Sequence, residues 1–163
     1  MAGGLPKPIE QFHKIPGARL ALIGSMWHAT CVDSMIDRAL AILHSLEVAP
    51  EDTSVHRLPG SLELPYAART LFDHDPTLDA ILAFGVVLKG ATSHDESVLQ
   101  HVTQGFALAS DRFGKPIINS VIGVRDIADA EKRSGDSPWN KGIEAAFAVS
   151  EVLHWQRSLR ANR

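Results

Sequence analysis

A three-layer α/β/α sandwich around an open parallel sheet is the fold class this sequence predicts, and three observations predict it. Short apolar runs alternate with segments of helical periodicity four times along the chain. One of these runs, AILAFGVVL (Ala80 to Leu88), is too continuously apolar for a strand with one wet face, so it belongs in a parallel sheet covered on both sides. With 163 residues, 45% of them hydrophobic, the chain can also bury a sizeable core within one domain. Right-handed crossovers between parallel strands then put helices on both faces of the sheet.

Each element has its own signal. Residues 1–17 carry Pro6, Pro8 and Pro16 with Gly3, Gly4 and Gly17, which break helices and favour a flexible, extended arm; residues 18–163 are expected to form the single domain. RLALIG (Arg19 to Gly24) is a buried-strand signal, followed by Val32, Ile36, Ala39, Leu43 and Leu46 at helical spacing. SVHRL (Ser54 to Leu58) is a second strand; the Pro59-Gly60 turn and a helical face of Leu64, Ala67, Ala68 and Leu71 come next. The third strand is Ala80 to Leu88, and its helix presents Val98, Val102, Phe106, Ala109 and Phe113, with Gly114 as a stop. PIINSVIG (Pro116 to Gly123) is the fourth strand. Two helical segments finish the chain, Ile127 to Arg133 and, past Gly135 and Pro138, Gly142 to Leu159, the latter with Ile143, Ala146, Phe147 and Leu153 on one face.

Charge and cysteine content narrow the function classes. Lys and Arg number 16 against 19 Asp and Glu, a formal charge of -3, so no overall basic field exists to draw in nucleic acid or an anionic membrane. A single cysteine, Cys31, cannot form an intramolecular disulfide and points to a reducing compartment, by default the cytoplasm. No apolar run approaches the ~20 residues that span a bilayer, and the first residues lack the apolar core of a signal peptide.

Open parallel sheets bind ligands beyond the carboxyl ends of their strands, so the informative residues are those just after each strand. In KGATSH the residues Gly90, Ala91 and Thr92 precede a helix, whose free amides and positive dipole end could hold a phosphate; equally, Thr92 or Ser93 could simply cap it. His94 falls in the first helical turn, where an imidazole can move protons near neutrality or merely face solvent, with Asp95 and Glu96 beside it. Trp27 follows the first strand and either stacks a heteroaromatic ring or packs over the sheet end. Glu63, in PGSLELP, is either an acceptor for ligand hydroxyls or a solvated turn residue. Arg133 and Lys141 flank a loop that could close on a phosphate or form a basic rim. Eight histidines invite a metal reading, but none stands in a close pair of ligand spacing backed by cysteine.

Three segments in order, PGSLELP, GVVLKGATSH and KRSGDSPWNKG, give the chain from Arg19 to Leu153 a resemblance to the lumazine synthases, enzymes of riboflavin biosynthesis. The resemblance implies a flavodoxin-like sheet and the condensation of 5-amino-6-(D-ribitylamino)uracil with 3,4-dihydroxy-2-butanone 4-phosphate, with release of phosphate and water and with no metal or redox cofactor. It implies that Trp27 stacks the pyrimidine, that Ser61, Leu62 and Glu63 form the ribityl-binding turn, and that Val86, Val87 and Leu88 line the pyrimidine site. It assigns Ala91, Thr92, Arg133 and Lys141 to the phosphate and His94 to proton transfer. It also implies a homo-oligomer built of pentamers, with active sites between subunits and with the positions of Asn119 and the Arg133 segment supplied by a neighbour. The arm is expected to pair with an adjacent sheet.

The resemblance has departures: His28 stands where many members have Asn, Asp95 and Ser97 replace aromatics around Glu96, and Asn119 occupies a position that is often Phe. Two other functions compete on the same residues. A non-catalytic protein could hold riboflavin on the aromatic shelf and ribityl turn, and a structural shell component would need assembly alone.

Overall fold

The computed structural model describes residues 11–161. Among them the chain runs β1 (Leu20–Ser25), α1 (Ala29–Ser45), β2 (Thr53–Leu58), α2 (Leu64–His74), β3 (Ala80–Leu88), α3 (His94–Phe113), β4 (Ile117–Val124), α4 (Ile127–Ser134) and α5 (Lys141–Ala161). The expected alternation is the one observed, with ends shifted by one or two residues. Two single 3₁₀ turns that periodicity does not reveal, Pro50–Asp52 and Ser61–Glu63, lead into β2 and α2.

All strand pairs are parallel and the order is β2-β1-β3-β4. These are the first four places of the flavodoxin-like order, in which the connection direction reverses between β1 and β3. Going from β1 to β2 carries α1 to one face; going from β2 to β3 and on to β4 carries α2 and α3 to the other, as right-handed crossovers require. The strands sort their side chains accordingly. Leu20, Leu22, Leu82, Phe84 and Val86 pack under α1, α4 and α5, while Ala21, Ile23, Ile81 and Ala83 pack under α2 and α3. Burial on both faces is why β3 reads as an unbroken apolar run.

The buried face of α5 differs from the sequence expectation. Ala146 and Leu153 are buried as expected, but Ile143 and Phe147 are only half-buried, and Gly142, Ala145, Val149 and Ser150 complete the inner face. The cause is a close crossing with α1: a Cβ at Gly142 would stand 2.1 Å from the Met35 carbonyl oxygen. Small residues therefore take the contact, and the larger ones rotate outward.

Of the expected arm, residues 1–10 lie outside the described residues. Further on, Ile15 is fully buried and donates its N–H to the Leu46 carbonyl at 3.0 Å, and Phe12 packs edge-on against Phe147 with ring centroids 5.8 Å apart. Among the described residues no helix is long and apolar enough to cross a membrane.

Candidate active site

Phe84 of β3 pairs with Gly24 of β1, yet β3 continues through four more residues to Leu88, roughly 13 Å at ~3.3 Å per residue. That overhang makes a wall above the end of β1. The turn after β1, the Pro59–Glu63 turn after β2 and the start of α3 close the other sides. The result is a cleft of about 530 Å³ lined by Trp27, His28, Pro59 to Glu63, Val86 to Leu88, His94 and Val98. Its size suits a small molecule, and it lies at the topological switch point.

Each wall has a local cause. Ser61 can press against β3 because position 85 is glycine: a Cβ there would meet Ser61 Oγ at 2.6 Å and Ser25 Oγ at 3.3 Å. Glu63 staples its own turn, its Oε2 accepting from the Gly60 N–H at 2.8 Å, which leaves Oε1 for a ligand hydroxyl. Val86 is buried while Val87 and Leu88 are half-buried, an apolar floor for a ring. Trp27 is 71% exposed beside it.

His28 adopts φ 56 and ψ 45, the left-handed region, at the N-cap of α1. Among non-glycine residues, Asn, Asp and His are enriched there. The departure from Asn to His thus keeps a residue type that tolerates the turn and adds an imidazole to the cleft wall.

His94 opens α3, a helix whose N-cap residue Ser93 makes no side-chain capping bond. The amides of its first turn are thus not capped by a hydroxyl, while Asp95 and Glu96 place two carboxylates in that turn. Ala91 and Thr92 are exposed and lie between Leu88 and His94, both of which line the cleft. Asp95 is half-buried, with Oδ1 covered and without a hydrogen-bond partner among the described residues.

Asn119, Arg133 and Lys141 stand apart from this cleft. Asn119 is exposed on β4, its Oδ1 accepting from the Val121 N–H at 3.1 Å. Arg133 on α4 and Lys141 on α5 share one carboxylate: Arg133 Nη2 is 3.9 Å from Glu144 Oε1, and the Lys141 ammonium donates to Glu144 Oε2. The loop between α4 and α5 is braced from within by Asn140, almost fully buried, which donates to the Ser134 and Gly135 carbonyls at 2.6 and 3.0 Å and accepts from the Gly142 N–H at 2.7 Å. Asn140, Glu144, Gly85 and Arg57 are the structural contributors that sequence reasoning missed. Only Asn140 had a readable signal, as an Asn directly before a helix. Among the described residues no group of three or more His, Cys, Asp or Glu side chains is placed to hold a metal ion.

A flavodoxin-like α/β domain with a mainly apolar cleft at the switch point, edged by Glu63 and His94, defines the class of small-molecule-binding parallel-sheet domains. The chain belongs to the 6,7-dimethyl-8-ribityllumazine synthase family, whose model matches residues 17–157. It is 37% identical over 138 residues to a 6,7-dimethyl-8-ribityllumazine synthase of Stenotrophomonas maltophilia, covering 84% of this chain and 88% of that protein. Proteins of the same name from Halorhodospira halophila and Rhodopirellula baltica are each 34% identical, covering 93% and 90% of this chain and 96% and 94% of theirs.

Proposed function

We propose that this chain is a transferase that condenses 5-amino-6-(D-ribitylamino)uracil with 3,4-dihydroxy-2-butanone 4-phosphate to give 6,7-dimethyl-8-ribityllumazine, phosphate and water. The observation that carries the reading is the convergence of Trp27, Ser61, Leu62, Glu63, Val86, Val87, Leu88 and His94 on one cleft in a member of this family. The ring of Trp27 stacks the pyrimidine over the floor of Val86 to Leu88, and the Ser61–Glu63 turn receives the ribityl hydroxyls. Amides around Ala91 and Thr92, with Arg133 and Lys141, hold the phosphate. The pyrimidine amine attacks the ketone and a first water leaves as the imine forms. Elimination then releases phosphate, and ring closure of the second amine on the remaining carbonyl with loss of a second water gives the lumazine. His94 moves protons in these steps, and orientation of the two substrates supplies much of the rate.

Asn119, Arg133 and Lys141 are absent from the lining of the cleft, which supports a site shared between copies in a homo-oligomer built of pentamers. In that assembly residues 18–163 are the catalytic domain, against which Phe12 and Ile15 of the preceding segment dock. A lone buried thiol, Cys31, suits a reducing cytoplasm. The test is direct: purified protein is mixed with both substrates and the appearance of lumazine fluorescence is followed. Absence of product from correctly assembled protein would refute the activity.

A further inference from the structure

Trp27 owes little of its position to packing, since the residue is 71% exposed, and its own carbonyl takes only a long bond, 3.4 Å, from the Ser25 hydroxyl. Its backbone must hold it instead. The Met26 N–H donates to the Leu58 carbonyl at 2.7 Å, the His28 carbonyl accepts from Cys31 and Val32, and the Ser25 carbonyl accepts from Arg57 Nη2 at 2.7 Å. Two of these three anchors come from adjacent residues at the end of β2, and one of them is a charged side chain.

Arg57 is a costly choice there. Its guanidinium is mostly covered, Nε is buried without a partner, and burial alone pushes its pKa below the ordinary arginine value. The offsetting contacts are the bond to Ser25 O and an ion pair of Nη1 with Asp33 on α1. One planar fork thus ties the last residue of β1, the end of β2 and the first turns of α1, the three elements that meet at the Met26-Trp27-His28 turn.

We propose that Arg57, oriented by Asp33, is a positioning residue for the Trp27 ring, setting affinity for the pyrimidine substrate without touching it. This rests on the reading of the cleft given above. Arg57→Met keeps the length of the stem and removes the donors. Its Michaelis constant for the ribitylaminouracil should rise on the order of tenfold, while turnover and the constant for the butanone phosphate stay within about twofold. Asp33→Asn keeps the bond to Ser25 O but loses the charged partner, and should raise the same constant by roughly twofold to threefold. A merely structural ion pair would lower the melting midpoint and leave the pyrimidine constant alone; that result, or equal changes in both constants, overturns the proposal. If Arg57→Met fails to fold, Asp33→Asn decides the matter by the same criterion. Wild-type turnover separates the two ideas: its absence sinks the functional reading itself, whereas wild-type turnover with an unaltered pyrimidine constant in the variants sinks only the role of Arg57.

Discussion

Two polar regions of this molecule, each matching part of a family motif, differ in how their charges are spent. At the β1–β3 switch point, Glu63 uses one oxygen to hold its turn, His94 is exposed, and the first turn of α3 has no side-chain cap but carries Asp95 and Glu96. On the β4–α4–α5 side, Arg133 and Lys141 already share the Glu144 carboxylate. Two cations around one anion keep a net positive charge while their mutual repulsion is offset, which suits a site that must accept a phosphate and then release it. The first region is concave and no Lys or Arg lines it; the second carries the cations. The contrast teaches that the two regions complement one another and that one copy of the chain does not bring them together in one cleft.

The largest effect should come from the cleft. His94→Ala is expected to lower turnover by roughly 10²–10⁴-fold, the range for a general acid–base group, with little change in melting midpoint. His94→Asn sharpens the point, because an amide keeps a hydrogen bond but carries no proton at neutral pH. Near-normal turnover in the Asn variant would reduce His94 to a capping or positioning residue.

Arg133→Ala tests the other region. A charge-assisted contact is worth ~1.5–3 kcal/mol, so the Michaelis constant for the butanone phosphate should rise about 10- to 150-fold with pyrimidine affinity unchanged. An unchanged phosphate-substrate constant would remove Arg133 from the site. Co-expressing the His94→Ala and Arg133→Ala chains then asks whether the regions meet across subunits. Random mixing in a ring should restore roughly a quarter of the sites, measured at limiting butanone phosphate, whereas sites made within one chain would regain nothing.

The smallest change belongs to the aromatic shelf. Loss of stacking in Trp27→Ala removes ~0.5–1.5 kcal/mol beyond the lost contact area, so pyrimidine affinity should fall by about tenfold while the phosphate-substrate constant holds. Riboflavin fluorescence titrations that are identical for wild type and variant would argue against the shelf.

The sequence by itself determined the alternation of elements, the parallel sheet and the cleft's lining. Covered strands write continuous apolar runs, Gly114 ends α3 with a positive φ of 60°, and the residues after β1, β2 and β3 must gather at one edge because parallel strands all end there. What local pattern cannot encode was decided in three dimensions. Apolar residues occur around all of α5, so periodicity offered Ile143 and Phe147 as inner positions, but the close approach of Gly142 to Met35 turned them outward. The left-handed turn at His28, the brace of Arg57 on Ser25 O and the approach of Arg133 on α4 to Glu144 on α5 likewise join separate elements or fix a backbone angle no neighbour dictates. Such features arise only when packing brings specific atoms within contact distance, because hydrogen bonds and steric limits act over a few ångströms in space and not along the sequence.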